Sequence, residues 1–332
     1  MIISRTPFRA SFFGGGTDYP LWFQEHGGAV LATAIDKYCY ISCRYLPPFF
    51  EHRYRIVYSR IENVREVSEI QHPAVRHVLD ILKCHKGLEI HHDADLPARS
   101  GLGSSSSFTV GLVNALMALA GRHVTSEHLA STAIHIEQDI IRENVGSQDQ
   151  ILAAYGGFNK IEFLKNGQFS VNPIILPGDK YTELENHLML FFTGFSRIAS
   201  EVARSKIENF KSRHNELKAM REMVDEAISI LQSESRSICE FGELLHRNWQ
   251  YKRSLSSKVS SPAIDKMYET ARNAGAIGGK LLGAGGGGFL LLFAEPGAQA
   301  AVREKLRDLI YVPFKFEPTG SRIVLYQPNG LD

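Results

Sequence analysis

Long apolar runs are missing from this chain of 332 residues. The longest, residues 108–121, is broken by Asn114 and falls short of the ~20 residues that a membrane-spanning helix requires. The first dozen residues carry Arg5 and Arg9 without a continuous apolar core, which argues against a secretory signal. An excess of charge of either sign is also missing: 37 Lys and Arg face 36 Asp and Glu, a net charge of +1. No global field then favours nucleic acid or an anionic membrane, and any phosphate binding must be local. Cysteine is sparse, with four at positions 39, 43, 84 and 239. Cys39 and Cys43 form a C-x3-C spacing with no second pair nearby, which argues against a zinc site and fits free thiols in a cytoplasmic protein. The chain lacks a Walker GKS or GKT and lacks a Rossmann G-x-G-x-x-G. It also shows no internal repeat and no low-complexity linker.

What the chain has instead is glycine in three dense clusters: FFGGGTDY from Phe12, LPARSGLGSSSS from Leu96 and KLLGAGGGGF from Lys280. Glycine costs conformational entropy on folding, so separated clusters imply backbone that bends sharply or approaches a ligand closely. They read as parts of one nucleotide and substrate site.

Length favours two domains. Residues 28–45 are rich in β-branched and aromatic side chains and predict one or two strands, and residues 47–59 predict a surface loop running into another strand. Val75, Val78, Leu79 and Leu82 recur at helical spacing within residues 71–86. LEIHHDADLP predicts a strand ending at Pro97. His91 and His92 are adjacent there and face opposite sides of a strand, which disfavours a metal pair. Residues 108–120 carry no charge and predict a helix buried on most of its surface. A second helix is predicted from Ser126 to Asn144, stopped by Gly146. HLMLFFTG starts a new strand, charged helices cover residues 198–231 and 237–254, and FLLLFA and RIVLYQ read as strands flanking a helix over 299–310. The aromatic and basic stretch 246–253 reads as a solvated helix with a buried aromatic stripe rather than a nucleic-acid surface. A boundary near residue 180 divides the chain into residues 1–180 and 181–332.

The segment LPARSGLGSSSSFTVGLVNALMALAG joins a strand end, a flexible loop and a long helix. That arrangement points free backbone N–H groups at an anion, with the helix dipole adding to the attraction. The hydroxyls of residues 104–107 are placed to donate to phosphate oxygens or to ligate Mg²⁺. A serine cap needs one serine, whereas four follow Gly-x-Gly here.

In these segments the chain resembles the GHMP kinases, the superfamily of galactokinase, homoserine kinase, mevalonate kinase and phosphomevalonate kinase. Pro7-x-Arg9 through Gly14 to Asp18 matches the first motif of that family, Pro97 through Ser106 the second and Lys280 through Gly288 the third. The resemblance implies an α+β, two-domain fold: an N-terminal α/β domain holding ATP and a C-terminal ferredoxin-like domain, with the site between them. It implies that Pro97, Ser100, Gly101, Leu102, Gly103, Ser104, Ser105 and Ser106 wrap the phosphates of ATP. Gly285 and Gly286 of the third motif would support the substrate side. By similarity to the galactokinase branch, Glu137 in HIEQD would hold Mg²⁺ together with Ser105 or Ser104. Asp149 in GSQDQ would take the acceptor proton, and Arg9 would keep Asp149 ionised and stabilise developing charge. Phosphoryl transfer asks little more of a protein than this.

The first motif departs from galactokinases, where Glu-His usually precedes Thr-Asp, because Gly15 and Gly16 precede Thr17 and Asp18 here. Removing two polar side chains leaves room for a larger or differently substituted sugar, with Asp18 still available to its hydroxyls. RTPFRASFFGGGTDYP followed by GGAVLATAIDKYCYI is similar to the bacterial subgroup of this superfamily that phosphorylates the anomeric hydroxyl of D-glycero-D-manno-heptose 7-phosphate, on the way to lipopolysaccharide and other surface glycans. A phosphorylated acceptor requires a second anion site containing Arg or Lys. Lys37, Arg44, Lys160 and Arg197 are the candidates, Arg197 the first choice. A sibling kinase for fucose, galactose or another sugar stays open, as does a sensor that binds nucleotide and sugar without turnover. The expected partners are small molecules alone; a homodimer is compatible with the sequence and not required by it.

Overall fold

The computed structural model describes residues 1–84, 86–98, 100–195 and 199–328. Twelve strands and eleven α-helices are found among them. The strands are β1 (Ile2–Phe13), β2 (Gly28–Tyr45), β3 (Tyr54–Val57), β4 (Ile61–Val64), β5 (Leu88–Ala94), β6 (Phe158–Phe163), β7 (Phe169–Pro173), β8 (Leu188–Phe192), β9 (Ala276–Leu281), β10 (Phe289–Ala294), β11 (Ile310–Tyr311) and β12 (Arg322–Tyr326). The helices are α1 (Pro20–His26), α2 (Pro73–Leu82), α3 (Ser104–Leu119), α4 (Ser126–Ile134), α5 (Gln148–Tyr155), α6 (Gly178–His187), α7 (Ala199–Ile207), α8 (His214–Gln232), α9 (Cys239–Ser254), α10 (Pro262–Asn273) and α11 (Gln299–Lys305).

Residues 28–45 form one strand rather than two. β2 is long enough to serve two neighbours in turn: Gly28 to Thr33 pair with β6, and Cys39 to Tyr45 pair with β5. Along its other edge β2 pairs with β1, whose register slips between Pro7 and Phe8, where Pro7 has no N–H to give the ladder. The eight-stranded sheet has the main order β12-β1-β2-β5-β3-β4, with β6 and β7 added at β2. Helix α3 lies on this sheet and is buried nearly all round, as its uncharged sequence predicts. Phe8, Ala10, Phe12, Val110, Val113, Ile151 and Leu152 contribute to the core that holds them together.

The second sheet has the order β11-β8-β10-β9 and is antiparallel throughout. Counted along the chain from β8, its strands lie in the order 4-1-3-2, with α11 between β10 and β11 and a longer helical passage between β8 and β9. That is the ferredoxin-like path. The expected division near residue 180 falls between β7 and β8. The chain then recrosses it: β12 pairs with β1, and Ile35 bridges Phe316, so residues after β11 rejoin the first sheet.

The two sheets are tied at one carbonyl. Phe12 O accepts from Lys280 Nζ at 2.7 Å and from Asn248 Nδ2 at 3.1 Å, and both donors come from the second sheet and its helix α9. Among the described residues no helix is long and apolar enough to cross a membrane.

Candidate active site

The second glycine cluster ends at Gly103, which caps α3 with φ +78. The left-handed backbone there suits glycine, and a Cβ would meet Asp149 Oδ2 at 3.3 Å. The loop therefore turns directly beside a carboxylate. At Gly283 the third cluster, again left-handed at φ +66, comes so near the second that a Cβ would lie 2.5 Å from the Cα of Gly101. Two glycine turns from different sheets thus touch backbone to backbone at the mouth of one cleft of about 330 Å³.

Asp149 stands in the first turn of α5. Both its oxygens accept from Arg9 at 2.8 Å, Oδ1 from Nε and Oδ2 from Nη2. The remaining arm of the guanidinium donates to Gly101 O at 2.7 Å, and Arg9 N donates to Leu102 O. Arg9 is only 4% exposed, so this fork ties β1, the phosphate-type loop and α5 into one unit. Its partner carboxylate keeps an edge in the cleft.

Asp18 lines the same cleft, against the 146–148 segment that leads into Asp149, and is almost fully buried. Its Oδ1 accepts from Gly16 N and its Oδ2 from Gln148 Nε2. Burial raises its carboxyl above the usual range, with the Gly16 amide acting against that rise. Gly146 makes room for it, since a Cβ there would sit 1.9 Å from Asp18 Oδ2.

Glu137 is buried behind the loop, on a π-helical turn (His135–Ile140) that continues α4. The helix predicted to reach Asn144 thus changes character at the residue of interest, a frequent sign of function. Ser106 Oγ and Gln150 Nε2 both donate to Glu137 Oε2, at 2.8 and 2.6 Å. Among the described residues Oε1 has no hydrogen-bond partner, and burial lifts the carboxyl to about 7 against the opposing pull of the Thr109, Ser106 and Gln150 side chains. A buried carboxylate oxygen left open beside a hydroxyl fits a hard cation with oxygen ligands.

Several expected residues are placed differently. The serine facing Glu137 is Ser106, not Ser105, because successive helical positions are turned by about 100°. Ser105 is exposed on the cleft side, and its carbonyl accepts from Thr109. Thr17 does not face the cleft: its hydroxyl is shared between Gly14 O and Ala29 O and accepts from Ala29 N, pinning the first glycine turn. Gly285 and Gly286 pack on Val259, whose carbonyl accepts from Gly286 N, and the cleft is lined by Gly283 and Ala284 instead. Pro97 is exposed outside the cleft, and Ser100 is buried with its carbonyl accepting from Phe289 N. Gly15, Gly16, Gly101, Gly103, Ser104 and Ser106 do line it. Of the candidates for a second anion site, Lys37 pairs with Asp36, Arg44 with Glu89, and Lys160 with Glu162 and Asp225. Arg197 lies outside the described residues.

Sequence reasoning missed three buried lysines. Lys206 of α7, Lys252 of α9 and Lys280 of β9 all line the cleft. Lys252 Nζ donates to Leu281 O and Gly283 O at 2.6 and 2.7 Å, which braces the third glycine turn. A signal was present in the helices: Lys206 falls between Val202 and Phe210 at four-residue spacing, and Lys252 follows Leu245 and Trp249 on a buried stripe.

Burial depresses Lys280 from 10.5 to about 7 and Lys206 to about 8. Between those values and 10.5 the unfolded chain holds protons that the folded chain has released, so stability rises with pH across that window. The melting temperature of the unliganded protein should therefore rise less steeply between pH 7 and 9 in a Lys280→Met variant than in the parent. Equal slopes would remove Lys280 as the source.

A glycine loop at the head of a buried helix, a carboxylate gripped by arginine and a second carboxylate in the same cleft define a small-molecule phosphotransferase architecture. Two family models match the chain, "GHMP kinases N terminal domain" over residues 68–157 and "GHMP kinases C terminal" over residues 227–311. The D-glycero-alpha-D-manno-heptose 7-phosphate kinase of Campylobacter jejuni is 30% identical over 309 residues, covering 89% of this chain and 90% of that protein. The bifunctional fucokinase/GDP-fucose pyrophosphorylase of Arabidopsis thaliana is 26% identical over 91% of this chain, which spans only 31% of that longer protein. Among solved structures, a D-glycero-D-manno-heptose 1-phosphate kinase from Bacteroides thetaiotaomicron superposes with a TM-score of 0.80 at 23% identity, covering 97% of this chain and 98% of that one. The chain belongs to the GHMP kinases, and is a phosphotransferase with their two-domain fold.

Proposed function

We propose that this protein is a cytoplasmic sugar 1-kinase that transfers the γ-phosphoryl group of ATP to the anomeric hydroxyl of D-glycero-D-manno-heptose 7-phosphate. The observation that carries this reading is the Arg9–Asp149 fork between the phosphate-type loop and Asp18. The relative in Campylobacter jejuni supports the choice of acceptor.

The backbone N–H groups at the head of α3 bind and orient the donor's phosphates. Asp18 accepts from acceptor hydroxyls and fixes the acceptor's orientation. Asp149 takes the proton of the attacking hydroxyl on the oxygen edge that Arg9 leaves in the cleft, and Arg9 prevents the carboxylate from rotating away. Glu137 and Ser106 would hold Mg²⁺, which when bound neutralises charge on the phosphates.

The test is Mg²⁺-dependent ADP release with the 7-phosphate beside the unphosphorylated heptose, mannose, galactose, fucose and mevalonate. Strong preference for the 7-phosphate supports the reading. Preference for fucose would favour a second reading, a fucose 1-kinase, for which the match to the fucokinase speaks. ATP binding without turnover across the panel would favour a sensor.

A further inference from the structure

The four cations of the cleft are not equivalent. Arg9 is committed to Asp149 and Gly101, Lys252 to two carbonyls and Lys280 to Phe12 O. Lys206 is equally buried, at 4% exposure, yet its ammonium has no hydrogen-bond acceptor among the described residues. It sits over the face of Tyr19, whose ring centre lies 5.6 Å from Nζ. The Lys206 stem is buried while the ammonium opens on the cleft without a protein acceptor among the described residues, so a ligand in the cleft is placed to supply one.

The surroundings specify what kind of ligand that is. Ser200 and Ala203 share the cleft-facing side of α7 with Lys206, and their small side chains leave space ahead of it. Arg204, on the same helix, faces away and pairs with Glu208. Asp18 and Asp149 act on Lys206 from the first glycine turn and from α5, and would repel any anionic acceptor that met no compensating charge. Arg9, Lys252 and Lys280 face it from β1, α9 and β9, and since burial lowers both of those lysines, the charge that offsets the two carboxylates rests chiefly on Arg9 and on Lys206 itself. Burial lowers Lys206 only to about 8, which leaves it protonated at neutral pH.

We propose that Lys206 is the acceptor-side anion receptor of this cleft, taking the phosphate ester of a phosphorylated acceptor and thereby selecting it over its unphosphorylated counterpart. This rests on the reading that the cleft transfers a phosphoryl group to a small acceptor. Three of the candidates chosen from sequence are neutralised by carboxylates elsewhere, and the fourth, Arg197, lies outside the described residues.

The experiment compares the parent with Lys206→Met, which keeps the volume, and Lys206→Arg, which keeps the charge. In steady-state kinetics with MgATP, the ratio of kcat/KM for D-glycero-D-manno-heptose 7-phosphate over the unphosphorylated heptose should fall about 100-fold in Lys206→Met. The fall should be carried by KM, and Lys206→Arg should recover part of it. Equal loss of kcat on both acceptors at constant KM would overturn the proposal, because Lys206 would then act on the transferring group. An unchanged ratio would overturn it as well, as would selective loss on mevalonate, whose anion is a carboxylate. If the parent phosphorylates neither sugar, calorimetry with the 7-phosphate separates the two ideas. Binding lost in Lys206→Met and partly restored in Lys206→Arg, with MgATP binding retained in both, upholds the receptor while the transfer reading falls. Binding that is absent, or indifferent to residue 206, overturns the receptor too.

Discussion

Asp149→Asn should lower kcat by about a thousandfold while MgATP still binds with the parent's affinity. Asparagine keeps the shape and one acceptor oxygen, so Arg9 retains a partner through Nε or Nη2 and its bond to Gly101 O. What the variant loses is the capacity to take a proton. A nucleotide-binding assay separates this from collapse of the loop, because Gly101 and Leu102 depend on Arg9 rather than on residue 149. A kcat within threefold of the parent would remove Asp149 as the proton acceptor and leave it a positioning role.

Gly283→Ala should destabilise the protein by about 3 kcal/mol, seen as a lower melting temperature, and should cut activity more deeply than the stability loss explains. The added methyl would meet the Cα, carbonyl carbon and oxygen of Gly101 at 2.5, 3.0 and 2.7 Å, all backbone atoms that cannot rotate aside, and φ is left-handed as well. Displacing Gly101 removes the carbonyl that holds Arg9, and shifting Gly283 disturbs the carbonyl that holds Lys252. The damage thus reaches the catalytic fork from the far sheet. Unchanged stability and kcat would show that the two turns part easily.

Local chemistry was well written in the chain. The glycine clusters marked the loops, helix α3 declared its burial by carrying no charge, and Arg9, Asp18 and Asp149 stood in motifs whose order made them neighbours. Side-chain facing was harder. Ser105 and Ser106 differ by one helical step, and only the packing of α3 against the π-helical turn decides which hydroxyl meets Glu137. Thr17 sat in the right motif and was consumed by backbone carbonyls that only the folded turn brings together. Lys206 and Lys252 were hidden because lysine in a charged helix ordinarily faces water. The pairing of β1 with β12 had no local signature, since its two partners are far apart in the chain.

That pairing also bears on how the molecule is made and held together. Because Ile2 pairs with Tyr326, the lobe built on β8 to β11 is an insertion held by two strands of connecting chain, not a tail held by one. During synthesis the outer edge of β1 remains an open template until the whole lobe and β12 have been translated, a period of exposure to wrong partners. Afterwards the double tether holds the guest lobe to the first sheet at both of its chain ends.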